Sequence, residues 1–255
     1  MRIVLFGTGN LATRLGIALR AQNAEIVQVF GRSKEAGLLL SGMLGCAFTS
    51  LKSEIRLDAD LFILAISEGA IIEILAEVPI ANQLVVHTSG SLDIGLLSAF
   101  SRNYGAFYPL QTFSKQKPVD FSTVPICIEA NSQENLAKLE MLAKTISGKV
   151  FHVNSEKRRQ LHLAAVFVCN FVNHLYTIGE ELLSEQHLDF DLLKSLIRET
   201  ADKVIQFPPH LVQTGPAVRG VQHILDQHEK MLESHPEWQK LYNLLSTDIH
   251  HSHNT

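Results

Sequence analysis

The sequence has few cysteines, few aromatic residues and no excess of basic charge. Its 255 residues include 3 cysteines and 1 tryptophan, and 22 Lys and Arg stand against 26 Asp and Glu, for a net charge of -4. Three widely spaced cysteines argue against a disulfide framework and fit a reducing compartment. Because basic residues are not in excess, the protein has no general positive charge that would attract the phosphate backbone of a nucleic acid. We therefore expect a cytoplasmic protein whose partner is a small molecule and not nucleic acid.

Long hydrophobic runs are also scarce. No apolar stretch is expected to approach the roughly 20 residues that span a bilayer, so no membrane partner is predicted. The strand-like run at residues 3–6 is too brief for the core of a signal peptide. The hydrophobic fraction of 46 % is nevertheless too high for a disordered chain. A chain of 255 residues has room for one or two domains, each with its own core.

The histidines are unevenly distributed. Of the 12, only His87 lies before residue 150, and three fall at the very end, at positions 250, 251 and 253. Histidine changes charge near neutral pH and is the commonest metal ligand, so the skew marks a catalytic domain, a metal site or neither. His223 and His228 are five residues apart and lie on different faces of a helix, so they do not form an i, i+4 metal pair. We expect no metal.

The first 150 residues alternate between short β-branched runs and helical stretches, which predicts βαβ units around a mostly parallel sheet. The predicted strands cover residues 2–6, 25–30, 46–49, 61–66, 84–87, 105–108, 124–129 and 149–153. The predicted helices between them cover residues 10–21, 34–43, 69–77 and 132–147. After residue 154 the strand signals stop, and helices are predicted over 155–183, 191–206, 221–233 and 236–245. The pattern therefore predicts a doubly wound α/β domain at residues 1–153 and an all-α domain at residues 154–255.

The turn after the first predicted strand carries the strongest motif. Gly7, Thr8, Gly9, Asn10 and Leu11 begin a G-x-G-x-x-A sequence that follows a strand and opens a helix. Glycines at these positions allow a tight turn and the close approach of backbone N–H groups to a pyrophosphate at the helix N-terminus. The motif predicts a Rossmann dinucleotide-binding domain, and a glycine-rich turn without a ligand is the alternative.

The ends of the second and fourth strands indicate which dinucleotide binds. An NAD site usually carries an acid at the tip of the second strand, but Arg32, Ser33 and Lys34 stand here. A guanidinium fork, a hydroxyl and an ammonium suit a 2′-phosphate, which favours NADP; a solvated basic turn is the alternative. Ala65 and Ile66 end the fourth strand, where the ribose and nicotinamide pass in this fold, and they are predicted to leave room for the ring.

Two polar segments are candidates for binding the substrate. His87 is followed by Ser89, Gly90 and Ser91 at the carboxyl end of a predicted strand, where open α/β sheets bind ligands. Their N–H groups and hydroxyls can grip a carboxylate, or they simply form a polar turn that caps a helix. Arg219 lies in a loop that enters a helix and is a candidate to pair with an anionic substrate group.

The first helix of the second half is apolar except for one polar stripe. At roughly 100° per residue, Arg158, His162 and Asn173 project to nearly one face, with Asn170 at its flank. A buried polar stripe needs hydrogen-bonding partners or a ligand. One interpretation is structural, with bonds to neighbouring helices or to a dimer mate. The other is a cleft in which His162 is the proton donor and Asn170 orients the substrate.

Taken together, these motifs resemble a family of Rossmann-type NADP oxidoreductases with a C-terminal helical domain of unknown function. This family is akin to deazaflavin-dependent NADP oxidoreductases, pyrroline-5-carboxylate reductases and β-hydroxyacid dehydrogenases. The resemblance covers nearly the whole chain. It is carried by residues 7–10, 31–33, 87–91, 108–113, 159–170, 214–217, 219–220 and 228.

The resemblance implies NADP(H) binding, a helical dimerisation domain and an active cleft between the two domains. In β-hydroxyacid dehydrogenases a Ser-Gly-Gly-type turn binds the substrate, and residues 89–91 occupy the similar place. Those enzymes also use a lysine on the first long helix of the second domain, where His162 and Asn170 stand here, so a lysine-based mechanism is not carried over. Val221 is a second departure, because family members often carry Asp after Arg-Gly.

The sequence thus predicts an NADP-dependent oxidoreductase that acts on a small carboxylated carbonyl or imine, such as a 2-oxo acid or a ketopantoate-like compound. The protein is expected to be a homodimer joined through the helical domain. The competing interpretation is a non-catalytic sensor or assembly protein that keeps the NADP site without turnover.

Overall fold

The computed structural model describes residues 1–80 and 82–254, without the side chain of residue 254. Within these residues eight strands form one sheet: β1 Arg2–Phe6, β2 Glu25–Phe30, β3 Ala47–Thr49, β4 Leu61–Leu64, β5 Leu84–His87, β6 Asn103–Pro109, β7 Ile126–Ala130 and β8 Val150–His152. The helices among them are α1 Asn10–Ala21, α2 Lys34–Leu44, α3 Glu68–Leu75 and α4 Gln133–Ile146. Helices then follow without further strands: α5 Ser155–Ala165, α6 Val172–Glu185, α7 Asp191–Gln206, α8 Pro216–Arg219, α9 Gln222–Met231 and α10 Pro236–Asn254.

The sheet has the strand order β3-β2-β1-β4-β5-β6-β7-β8. Neighbouring strands pair in parallel except β6 and β7, which are antiparallel. The direction of winding reverses between β1 and β4, which is the switch point at which open α/β sheets bind ligands. This topology confirms the doubly wound, mostly parallel fold with helices after it.

The sheet is buried on both faces, which is why its central strands are continuous apolar runs. In β1 the side chains of Ile3 and Leu5 join the core on one face, and those of Val4 and Phe6 join the core on the other. Helices α1, α2 and α4 cover the first face, while α3 and the short helix Ile94–Ala99 cover the second. The central strands are therefore packed between two layers of helices.

Most predicted elements are confirmed with shifts of a few residues at their ends. The largest difference at an end is in α10, which continues to Asn254 instead of ending at residue 245. Four 3₁₀ helices and the short helix α8 were not predicted: Lys52–Glu54, Ile94–Ala99, Phe121–Thr123, Pro209–Leu211 and Pro216–Arg219. Segments of three to six residues are too short to show a hydrophobic period.

One long helix contradicts the expectation that the chain has no long apolar stretch. It runs continuously over Ser155–Glu185 and contains a π-helical segment, Val166–Phe171. Its most apolar 18-residue window has a mean hydropathy of 1.4, and none of that window is buried within the chain. By length and composition this helix could cross a bilayer, so the expectation that no apolar stretch approaches 20 residues is wrong. A single such helix is weak evidence for a membrane span.

The chain divides into two compact units, residues 1–169 and 170–255, and the division falls inside the π-helical segment. The sheet itself ends earlier, at His152, and α5 begins at Ser155. A domain boundary between residues 153 and 154 stays a prediction. In the second unit, α10 packs against α8 and α9, and the side chains of Ala217 and Leu232 are buried.

Candidate active site

Four turns meet at the carboxyl edge of the sheet. The last residue of β1, Phe6, is in register with Phe30 of β2 and Leu64 of β4, and Leu64 is in register with His87 of β5. Parallel strands that end in register deliver their next residues to one edge. The turns at residues 7–9, 31–33, 65–68 and 88–91 therefore lie side by side, at the place where this fold binds ligands.

A cleft of about 470 Å³ opens at this edge. It is lined by Gly7, Thr8, Gly9, Phe30, Gly31, Arg32, Ser33, Ala65, Ile66, Ser67, Ala70 and Ile74. Seven of the ten residues predicted to bind the cofactor are in this lining, but Asn10, Leu11 and Lys34 are not. Asn10 donates from Nδ2 to the carbonyl of Phe113 at 2.9 Å, Leu11 packs against the core, and Lys34 begins α2. The volume lies within the range of about 300–1,000 Å³ that is usual for small-molecule sites.

Two glycines of the β1–α1 turn have different reasons to lack a side chain. Gly7 has φ 115°, and a Cβ there would lie 2.2 Å from the carbonyl oxygen of Ala65, so the fold itself requires glycine. Gly9 has an ordinary φ of -78°, and a Cβ there would meet nothing within 4 Å. The space above Gly9 is therefore open, in front of the N-terminus of α1.

The N-terminus of α1 has the chemistry of an anion site. Gly9 is its N-cap, so no side chain caps the first N–H groups, and the first turn holds no acidic residue. Unpaired N–H groups and the positive end of the helix dipole attract a phosphate. At the neighbouring tip of β2, Arg32 is exposed in the cleft lining, and Ser33 caps α2 by accepting from the Ala36 N–H at 3.3 Å. These residues fit a dinucleotide with an additional phosphate on its ribose.

The serine turn after β5 is bonded to an acid that the sequence analysis missed. Both the Ser89 and the Ser91 hydroxyls donate to Oε1 of Glu68, the first over 2.8 Å. The bonds from Ser91 and then Ser89 hold the pKa of the Glu68 carboxyl below its usual range. Glu68 begins α3 directly after the tip of β4, and it comes close to the serines only through the pairing of β4 with β5.

His87 is hydrogen-bonded to the same serine turn through the backbone of Ser89. It is fully buried at the end of β5, and its Nδ1 accepts from the Ser89 N–H at 3.2 Å. Burial, aided by the nearby charge of Arg158, lowers the pKa of His87 to about 4. The imidazole is therefore neutral at pH 7, with its proton on Nε2.

His162 lies against this turn from α5. Its Nδ1 is 3.1 Å from Oη of Tyr108, which stands near the end of β6. A Cβ on Gly90 would be 2.6 Å from Cγ of His162, so the ring packs directly on the glycine of the turn. Burial raises the pKa of Tyr108, so the phenol keeps its proton. The hydrogen bond between the phenol and Nδ1 fixes the orientation of the His162 ring and leaves Nε2 on the opposite side. The one sequence signal for Tyr108 was its place in the segment 108–113.

For Arg158, the structure supports the structural interpretation of the polar stripe of α5. Its side chain is fully buried; Nη1 donates to Oε2 of Glu129 at 2.5 Å and Nη2 donates to the Leu92 carbonyl at 2.5 Å. Ser155 adds a bond to the same Glu129 oxygen at 2.8 Å. Arg158 is therefore structural: it fastens α5 to β7 and to the chain just after the serine turn. His162, one helical turn later, is held in place by this attachment.

The other two polar residues of the stripe are placed differently from the sequence expectation. Asn170 lies in the π-helical segment and is exposed, and so is Asn173 in α6. Hydrogen bonds from i to i+5 displace every later residue by about one position, so counting at 100° per residue fails beyond Ala165. Arg219 is exposed at the end of α8. Asn170 and Arg219 belong to the second compact unit, and their catalytic and substrate-binding roles stay predictions.

The second unit has a cleft of its own, of about 490 Å³, beside α9 and α10. His228 lies next to it, with Nδ1 2.8 Å from Oη of Tyr242, which lines the cleft. Among residues 1–80 and 82–254, no group of three or more His, Cys, Asp or Glu is arranged to hold a metal ion.

The sheet order, the glycine turn at the switch point and the anion-binding helix end define a Rossmann-type nucleotide-binding protein followed by a helical part. Residues 124–249 match the family described as Domain of unknown function (DUF2520). The putative NADP oxidoreductase BF3122 from Bacteroides fragilis is 42 % identical over 98 % of each chain, and its crystal structure superposes with a TM-score of 0.93. The chain belongs to this family of NADP oxidoreductases.

More distant structures share the fold. Protein TM1727 from Thermotoga maritima is 20 % identical over 99 % of this chain and 100 % of its own, with a TM-score of 0.82. The reductive aminase from Aspergillus terreus, solved in complex with NADPH and ethyl-5-oxohexanoate, is 14 % identical over 90 % of this chain and 77 % of its own, with a TM-score of 0.63. The sequence matches no curated protein.

Proposed function

We propose that the protein is an NADP-dependent oxidoreductase that transfers a hydride between NADP(H) and the carbonyl or imine carbon of a small molecule. The observation that carries the proposal is the position of His162 on the serine turn, at the sheet edge that also holds the Gly7–Gly9 cleft. Bound NADPH supplies the hydride. The protein binds and orients both molecules and holds the proton.

The cofactor is assigned to the cleft at residues 7–9, 31–33 and 65–67. The open space above Gly9 admits the pyrophosphate to the N-terminus of α1, and the exposed Arg32 pairs with the 2′-phosphate. Small side chains at Ala65 and Ser67 leave room along the tip of β4 for the ribose and the nicotinamide ring.

The proton donor is assigned to Nε2 of His162. Tyr108 holds the opposite ring nitrogen, so the imidazole has one orientation and presents Nε2 away from the phenol. A positioned acid of this kind contributes about 10²- to 10⁴-fold to the rate. Asn170 is proposed to orient the substrate.

The test is a turnover assay with NADPH and a panel of small ketones, aldehydes and cyclic imines, together with an NADPH fluorescence titration. We expect His162→Ala to lower turnover by about 10²- to 10⁴-fold while the NADPH dissociation constant stays unchanged. His174→Ala, an exposed histidine on α6, is the matched control and should keep full activity. If NADPH binds but no compound oxidises it, and His162→Ala changes only stability, the protein is the non-catalytic sensor or assembly protein instead.

We also propose a homodimer joined through the helical part and a cytoplasmic location. The second unit exposes large apolar side chains that a partner would cover, among them Phe171, Leu175, Leu192, Leu196, Ile205 and Phe207. The cytoplasmic location is supported by the three cysteines, all of which are free thiols.

A further inference from the structure

We propose that Glu68 is a specificity-determining residue that selects a cationic nitrogen, an amine or iminium ion, at the Ser89–Ser91 turn and disfavours a carboxylate there. The inference rests on the proposed oxidoreductase function, because it names the substrate class of the same site. It replaces the expectation that the serine turn grips the carboxylate of a 2-oxo acid.

The two hydroxyls and most of the N–H groups that could bind a carboxylate at this turn already donate to other groups. The Ser89 and Ser91 hydroxyls both donate to Oε1 of Glu68. The Ser89 N–H donates to His87, while the N–H groups of Ser91 and Leu92 donate to the Ser89 hydroxyl oxygen at 3.1 and 3.2 Å. A substrate carboxylate would have to break several of these bonds to be held by the turn, and each broken bond strands its partner.

The charge at the turn is also of the wrong sign for an anion. Glu68 is exposed, and its hydrogen-bond partners are two neutral hydroxyls, which lower its pKa without cancelling its charge. The two arginines nearby are each paired with another acid: Arg158 with Glu129 and Arg159 with Asp93, at 3.4 Å. His87 is neutral at pH 7. An ionised carboxylate therefore remains at the substrate end of the site, and it attracts a cation and repels an anion.

The Glu68 carboxylate can still accept a hydrogen bond, and a substrate N–H⁺ group can donate one. A carboxylate has about four lone-pair positions, and the two serine hydroxyls occupy positions on one oxygen, Oε1. The second oxygen is left to accept from a substrate N–H. Addition of hydride to an iminium ion, R₂C=NHR′⁺, forms the C–H bond while the C=N π pair moves to nitrogen, leaving the neutral amine R₂CH–NHR′ as NADPH becomes NADP⁺. A carboxylate next to the nitrogen stabilises this cation before the hydride is added.

The experiment compares two probes that share a five-membered saturated ring and carry opposite charges, on the protein saturated with NADP⁺. At pH 7.5, isothermal titration calorimetry measures the binding of pyrrolidine, which is protonated, and of tetrahydrofuran-2-carboxylate, which is an anion. We expect wild type to bind pyrrolidinium at least tenfold more tightly. Glu68→Gln should reduce this preference at least tenfold. Glu73→Gln makes the same charge change further along α3, where Glu73 pairs with Lys52, and should keep the preference.

Three results would overturn the inference: equal or tighter binding of the anion by wild type, no binding of pyrrolidinium, or an unchanged preference in Glu68→Gln. A separate titration with NADPH alone keeps the two proposals apart. If wild type fails to bind NADPH, the proposed oxidoreductase function itself is contradicted, whereas normal NADPH binding with any of the three results contradicts only the role of Glu68.

Discussion

At the scale of single residues, the site depends on polar side chains that are buried and hydrogen-bonded through some of their nitrogens, while the Nε2 atom of His87 and the Nε atom of Arg158 have no protein partner among the described residues. Arg158 is fully buried, and its ion pair with Glu129 joins α5 to the sheet. His87 is buried without charge, and one nitrogen of its ring holds the Ser89 N–H. Removing one member of such a pair leaves the other without its partner in a region that water does not reach, so these residues tolerate few substitutions.

The buried state of His87 predicts a loss of stability in mild acid. Its pKa is about 4 in the folded protein against 6.5 for an ordinary histidine, so between these values the unfolded chain takes up a proton that the folded chain refuses. The free energy of unfolding should therefore fall as the pH drops from 6.5 towards 4, with His87 contributing up to about 3 kcal/mol. Urea unfolding of wild type and His87→Gln at pH 7.5 and pH 4.5 measures this contribution. An equal pH dependence in the two proteins would contradict it.

At the scale of elements, the two glycines of the β1–α1 turn differ in what requires them: the fold requires one, and ligand binding is proposed to require the other. Gly7 is required by its φ of 115° and by the Ala65 carbonyl, whereas Gly9 has space for a side chain in the protein alone. We therefore expect glycine to be needed at position 9 only when a pyrophosphate approaches the backbone there.

Gly9→Ala should therefore affect binding without affecting the fold. We expect the dissociation constant for NADPH to rise at least tenfold, because the added methyl group lies where the pyrophosphate must approach. The free energy of unfolding should change by no more than about 1 kcal/mol, as for a modest change of an N-cap. Fluorescence titration and urea unfolding provide the two measurements. Gly42→Ala on α2, where a Cβ also meets nothing within 4 Å, is the control and should bind NADPH normally.

At the scale of the whole molecule, the exposed apolar surface of the helical part is the largest unexplained feature. The most apolar window of the long helix Ser155–Glu185 has no buried residue within one chain. On α7, Leu192 and Leu196 are 64 % and 61 % exposed and lie one turn apart on the same face. Surfaces of this kind are usually covered by another protein or by lipid.

We expect a second copy of the chain to cover it. Light scattering coupled to size exclusion should give twice the monomer mass at micromolar concentration. Leu192→Glu combined with Leu196→Glu should shift the mass towards the monomer, because charges in an apolar interface are costly to desolvate. Lys194→Glu, which changes the charge of an exposed α7 residue between them, is the comparison. A monomeric wild type at all concentrations would contradict the proposed dimer.

The sequence by itself determined the elements and the cofactor motif, because both depend on local signals. Hydrophobic period distinguishes helices from strands, and the Gly7–Gly9 turn is recognisable between a strand and a helix without knowledge of what surrounds it. Arg32 and the serine turn were found in the same way, from their positions at the ends of predicted strands. The local pattern predicts that Ser89 and Ser91 either bind a carboxylate or form a polar turn that caps a helix, and nothing local indicates Glu68.

Only the tertiary structure decided which side chains share the site. Glu68 lies 21 residues before Ser89, and Tyr108 lies 54 residues before His162, so no short-range pattern connects either pair. Sheet register brings Glu68 to the serine turn, and the buried Arg158–Glu129 pair holds the helix that carries His162. The π-helical segment Val166–Phe171 likewise interrupts the regular 100° spacing that placed Asn173 on the same face as Arg158 and His162. Hydrogen-bond partners and local charge depend on distances in space. Strand pairing and core packing determine these distances, whereas the linear order of residues does not.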